Sequence, residues 1–113
     1  MGSIFTLTNI QLPSGETTNI VVNGSNIASV GKAIEGTTID CTGSMVLPGL
    51  VDLHTHLREP GKEDSETVLT GSKAAAKGGF TAISAMANTS PVADTAGVVE
   101  QVFRLGKEAG LCE

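Results

Sequence analysis

Both histidines of the 113-residue chain lie in one tripeptide, His54-Thr55-His56. If the apolar run LVDLHTHL around them is a strand, residues two apart share a face about 7 Å from one another along the chain. Two imidazoles so placed converge on one metal ion at roughly 2.0–2.1 Å per Zn–N bond, with Thr55 turned to the other side. The same pair also reads as two polar residues at a strand exit, bonded to backbone or water, and H-x-H alone does not decide between these. Arg58 continues the alternation toward the same mouth, with Leu57 turned away, and a guanidinium beside a metal suits a carboxylate-bearing substrate. Its other reading is a loop arginine paired with Glu59, Glu63 or Asp64. Asn88, in Asn88-Thr89-Ser90-Pro91, offers a donor and an acceptor to an imide or carboxylate edge, or makes an Asx turn ahead of Pro91.

Other chemistries find little to work with. No Gly-rich phosphate loop follows a strand, so nucleotide binding has no support. Neither histidine has a carboxylate at a telling spacing, so no Ser or Cys nucleophile is indicated, and metal-assisted hydrolysis is the economical reaction class. The net charge of -5, the lack of a basic run and only three Phe exclude nucleic acid as a partner. No apolar run approaches the roughly 18 residues of a membrane span, and no signal segment opens the chain, so no membrane is expected and the default location is the cytoplasm. Cys41 and Cys112 form no C-x-x-C and read as reduced, small, buried residues.

The elements that must position these side chains change texture near Pro48-Gly49. Residues 1–48 are β-branched and turn-rich, and read as short antiparallel strands over 4–12, 18–22, 26–30 and 37–41, with a tight hairpin at Asn23-Gly24. A last strand starting at Met45 is interrupted by Pro48. Residues 49–113 read as β-α-β-α, with strands LVDLHTHL and FTAISAMA. The first helix should be capped by Asp64 or Ser65, with acidic residues at its positive end, and stopped by Gly78 in the left-handed region. The second should be capped by Asp94, bury Val98, Val102, Leu105 and Ala109 along one stripe, and stop at Gly110. Two strands each followed by a helix imply a parallel sheet, and two strands alone leave such a sheet uncovered.

The stretch Leu47-Pro48-Gly49-Leu50-Val51-Asp52-Leu53-His54-Thr55-His56-Leu57-Arg58-Glu59-Pro60-Gly61, then Thr70-Gly71-Ser72, Gly78-Gly79-Phe80-Thr81 and Met86-Ala87-Asn88-Thr89-Ser90-Pro91, resembles the dihydroorotases of the amidohydrolase superfamily. One departure is Ala87, where the family loop often has proline. Hydantoinases, dihydropyrimidinases and allantoinases look similar through the histidine segment, and Arg58 together with Asn88 favours dihydroorotase. The resemblance implies an α/β fold: an N-terminal β-sandwich segment over 1–48, then the first two β-α units of a (β/α)8 metal-dependent hydrolase barrel over 49–113. It further implies zinc, one or two ions per complete site, with His54 and His56 as ligands of the more buried ion. Arg58 and Asn88 would hold the carboxylate of dihydroorotate or N-carbamoyl-L-aspartate in pyrimidine biosynthesis. The proton-shuttling Asp and the remaining ligands would lie beyond residue 113, so the chain reads as an N-terminal piece inactive alone. A homo-oligomer or association with aspartate transcarbamoylase is left open. The other readings are a hydantoinase or allantoinase-type enzyme and a noncatalytic dihydroorotase-like interaction module.

Overall fold

The turn at Asn23-Gly24 sets the layout of the N-terminal sheet. In the computed structural model, which describes residues 3–113, strands β2 (Thr17–Asn23) and β3 (Asn26–Gly31) pair antiparallel around a two-residue loop, with Gly24 at φ 61°. A tight hairpin of this kind needs positive φ, which glycine adopts at no steric cost. Strand β1 (Ile4–Gln11) pairs antiparallel with the other side of β2, with an irregularity between Leu7 and Ile10. There Asn9 takes φ 57°, donates its backbone N–H to Asn19 Oδ1 and its side-chain amide to Asp40 Oδ1.

The all-antiparallel expectation fails at β4 (Thr37–Asp40), which runs parallel to β1 in a sheet ordered β3-β2-β1-β4. The reason is topological. β4 takes the outer edge of β1 rather than the free edge of β3, so the chain leaving β3 crosses the sheet and arrives parallel to β1. The crossing segment is clamped by Thr6, whose buried hydroxyl donates to the Glu35 carbonyl at 2.7 Å and accepts from the Glu35 N–H at 2.8 Å. Thr6, Ile10, Ile20 and Val21 form the buried centre of this unit. Met45 makes an isolated bridge to Gln11, and no full strand follows it. Asp40 closes the β4 end: the Thr42 hydroxyl and the Asn9 amide hold its carboxyl below the usual carboxylate range.

The chain divides into two compact units, one ending at Pro48 and the other spanning Gly49–Glu113. Met1 and Gly2 of the expected 1–48 segment lie outside the described residues. The second unit has the order β5 (Leu50–Thr55), α1 (Val68–Lys77), β6 (Phe80–Ala85), α2 (Ala96–Ala109). β5 and β6 pair in parallel, from Leu50 opposite Phe80 to Thr55 opposite Ala85. On the other side of β6, Glu113 N–H donates to Thr81 at 2.9 Å and Ile83 N–H donates to Glu113 at 2.8 Å. That is the slanted hydrogen-bond pattern of parallel pairing, at one residue.

Helix α1 starts later than its acidic residues suggest. Ser65 and Glu66 N–H groups are spent on the Lys62 carbonyl in a preceding turn, and the cap is Thr67, which exchanges hydrogen bonds with Thr70 in a capping box. No acidic residue lies in the first turn; instead Glu59, from the loop before it, accepts the Val68 N–H at 2.8 Å. A carboxylate at that end is favoured by the helix dipole. Replacing Thr67 with alanine removes the box and lowers stability by about 1 kcal/mol, read from the urea midpoint. At the other end Gly78 stays right-handed at φ -79°, and Gly79, at φ 85°, makes the left-handed turn. Helix α2 is preceded by Thr95 rather than Asp94, without a side-chain cap, and ends at Gly110 in the left-handed region as expected. Its Val98, Val102, Leu105 and Ala109 are half-buried, and Val99 and Phe103 are exposed. Cys41 and Cys112 are unpaired and half-buried, less enclosed than expected. No helix among the described residues is long and apolar enough to cross a membrane.

Candidate active site

Parallel pairing places the C-terminal ends of β5 and β6 on one edge, and the Met86 N–H donates to the Thr55 carbonyl at 2.8 Å just beyond them. The residues that follow each strand are therefore neighbours in space though about thirty positions apart in the chain. His54 is inside β5 and His56 directly follows it; their ring centroids are 5.1 Å apart at an interplanar angle of 67°. The His54 N–H donates to Asp52 Oδ1 at 2.9 Å. Asn88 comes across from the β6 loop, with its Oδ1 2.9 Å from His56 Nδ1. Thr55, between the histidines, is half-buried, and its hydroxyl is enclosed without a hydrogen-bond partner.

Strand alternation carries the histidines and stops there. β5 ends at Thr55, Leu57 is buried near Gly71 of α1, and Arg58 takes the left-handed conformation at φ 62°. The position of Arg58 is thus set by a turn, not by the two-residue period that suggested it. Its carbonyl accepts the Lys62 N–H at 3.0 Å. Of the three acids named as its surface partners, Glu59 is engaged on α1 and Glu63 on the Gly61 N–H at 2.8 Å, and Asp64 makes no ion pair with it. The bond from Gly61 holds the exposed Glu63 carboxyl below its ordinary range. Among the described residues the one ion pair joins Arg104 and Glu108, so the half-buried Arg58 has no acidic partner there.

The two loops are tied directly. Ser90 N–H donates to the Pro60 carbonyl at 2.9 Å, and Gly61, at φ 104°, lies so close to Ser90 that a Cβ would strike its carbonyl oxygen. Within the second loop, Thr89 donates its hydroxyl to the Pro91 carbonyl at 2.8 Å and Ala93 donates its N–H to Ala87 at 3.0 Å. Sequence reasoning missed three contributors here: Asp52 on the His54 backbone, Glu59 on the helix, and the Pro60–Ser90 tie. All of them lie within the stretches that carry the family resemblance, where Glu59 reads only as a partner for Arg58.

Among the described residues no group of three or more His, Cys, Asp or Glu side chains is gathered to hold a metal ion. The two imidazoles still fit a metal as part of a ligand set. They stand close together, and a His56 that donates through Nδ1 keeps the Nε2 lone pair free for a metal.

Residues 43–109 match the family model described as Dihydro-orotase-like, a span that contains His54, His56, Arg58 and Asn88. A dihydroorotase from Streptomyces coelicolor is 60% identical over 102 residues, 88% of this chain and 24% of that protein. One from Leifsonia xyli subsp. xyli is 59% identical over 109 residues, 94% of this chain and 25% of that protein. Among solved structures, L-hydantoinase (dihydropyrimidinase) from Arthrobacter aurescens superposes with a TM-score of 0.79 at 25% identity, over 94% of this chain and 25% of that one. The chain thus spans about a quarter of the length of the curated relatives it matches. With the family model covering more than half of the chain and the identity extending through both loops of the site, the chain belongs to the dihydro-orotase-like family.

Proposed function

We propose that this chain supplies two metal ligands and the substrate clamp of a zinc-dependent dihydroorotase, which interconverts dihydroorotate and N-carbamoyl-L-aspartate. The observation that carries the reading is the convergence of His54, His56 and Asn88 at one strand edge, with Arg58 left without an acidic partner in the adjoining turn. The parallel β5–β6 pair, each strand followed by a helix, supports a barrel that opens with these β-α units. In the same reading the N-terminal sheet belongs to a flanking sandwich, and the enzyme acts in the cytoplasm in pyrimidine synthesis.

His54 and His56 would hold zinc, one or two ions in a complete site. The metal, when bound, supplies a water of lowered pKa and an electrophile for a carbonyl oxygen. The chain's own residues do the positioning. Arg58 pairs with the substrate carboxylate, and the Asn88 Nδ2 amide, whose oxygen is already occupied by His56, donates to the same anion. Holding the ring at two points fixes which amide carbon would be presented for attack. No aspartate of this chain is assigned the proton transfer.

The likeness to L-hydantoinase favours a second reading, a cyclic amide hydrolase for uncharged rings. A chimera in which this chain replaces the matching quarter of the Streptomyces relative separates the two. It is expected to hydrolyse dihydroorotate, and Arg58→Met to cost about a hundred-fold in kcat/KM, the scale of a lost charged hydrogen-bond pair. Turnover of hydantoin without dihydroorotate would establish the second reading. An inert chimera that folds and binds metal would mark the chain as a noncatalytic interaction module, one that could serve an aspartate transcarbamoylase or a homo-oligomer.

A further inference from the structure

The amide of Asn88 has two ends, and only one is free. Its Oδ1 lies 2.9 Å from His56 Nδ1, across loops 32 positions apart in the chain. A carbonyl oxygen can only accept, so with Oδ1 facing it Nδ1 is the donor, and in the neutral ring Nε2 then carries the lone pair. A metal ligand needs its unprotonated nitrogen on the metal side, and a hydrogen bond to the other nitrogen fixes this. The loop that presents Asn88 is braced on both sides of it, by Met86 on Thr55, Ser90 on Pro60, Ala93 on Ala87 and Thr89 on Pro91. Among the described residues His54 has no comparable partner on its ring, its one hydrogen bond with Asp52 being through the backbone.

We propose that Asn88 is a positioning residue for His56: its Oδ1 holds the imidazole in the Nδ1–H tautomer, and its Nδ2 is left for the anionic group of the substrate. This deepens the function proposed above and rests on it for the role of the metal. One residue then serves both halves of the site. Its oxygen prepares a ligand before any metal arrives, and its nitrogen acts only when substrate does. The asymmetry between the two histidines follows, because His56 alone has its tautomer imposed.

Two-bond proton–nitrogen correlation spectra of the zinc-free 113-residue chain at pH 8.5 read the tautomers directly. The expected result is Nδ1–H at His56 in the parent chain and in Asn88→Asp, which keeps the acceptor. In Asn88→Ala, His56 shifts to Nε2–H while His54 stays as it was. Zinc titration of the same samples should show about a ten-fold loss of affinity in Asn88→Ala and no loss in Asn88→Asp. An Nε2–H tautomer at His56 in the parent chain overturns the proposal, and so does an unchanged tautomer in Asn88→Ala. A change at both histidines also overturns it, since that would report a general loosening of the loops. The metal reading is judged separately: if His54→Ala and His56→Ala leave zinc affinity unaltered, that reading fails whatever the tautomers are.

Discussion

Replacing either His54 or His56 with alanine is expected to remove dihydroorotate hydrolysis from the chimera, lowering kcat/KM by about a thousand-fold or more. The size follows from the metal's share of transition-state stabilisation, several kcal/mol, at 1.36 kcal/mol per factor of ten. The two rings are 5.1 Å apart at the end of one strand, so losing one removes half of what this chain offers and leaves no neighbour to substitute. Neither change should unfold the protein: His54 is exposed and His56 only half-buried. The same logic bounds the 113 residues by themselves. Two imidazoles fill half of a tetrahedral set, so calorimetry should find zinc bound more weakly than micromolar and no turnover. Micromolar or tighter binding that survives both substitutions would place the metal elsewhere; an active His56→Ala chimera would remove the metal from the mechanism proposed here.

Gly61→Ala should be strongly damaging in the two loops over the strand ends. Gly61 sits at φ 104°, where an L-residue is strained by about 1–3 kcal/mol, and its new Cβ would drive into the Ser90 carbonyl. Overpacking of that kind adds about 1–3 kcal/mol, so a total loss near 3 kcal/mol is expected in the urea midpoint. The functional cost should be larger than the stability cost suggests. Separating Gly61 from Ser90 breaks the Pro60–Ser90 tie, moving Asn88 away from His56 and Arg58 away from both. Hydrogen exchange at the Ser90 amide reads the break directly. Gly106→Ala in α2 is the control with opposite sign. Nothing lies within 4 Å of its Cβ position, so the change should stabilise the helix by about 0.5–1 kcal/mol. Equal effects at the two glycines would remove the loop contact as an explanation.

The hairpin at Asn23-Gly24, the β-α-β-α order and the end of α2 at Gly110 were legible in sequence, because each rests on local chemistry: a positive-φ turn, apolar periodicity, a left-handed stop. The start of α1 was not. Asp64 and Ser65 have the right side chains for a cap, but Lys62 takes the turn first and Glu59 reaches the helix from nine positions before Val68. The parallel run of β4 was equally hidden, since strand direction depends on which of two vacant edges the chain joins, and the Thr6 clamp on Glu35 acts across 29 positions. In the site, the histidine pair could be read from its spacing. Arg58 was found for a partly mistaken reason, since the alternation invoked for it ends at Thr55 and a left-handed turn places it instead. The bond from Asn88 to His56 has no sequence signature, because it depends on how two loops are held over the ends of paired strands.

The carboxylate of Glu59 on the Val68 amide has a kinetic meaning. Arg58 immediately precedes Glu59, so the turn bearing the guanidinium cannot swing outward unless the first turn of α1 gives up that bond. If Arg58 serves the substrate as proposed, outward movement of its turn is coupled to loss of that bond at the start of α1. Exchange of the Val68 amide should then act as a clock for how often the anion clamp opens, and Glu59→Gln, which weakens the bond without removing it, should make that clock run faster.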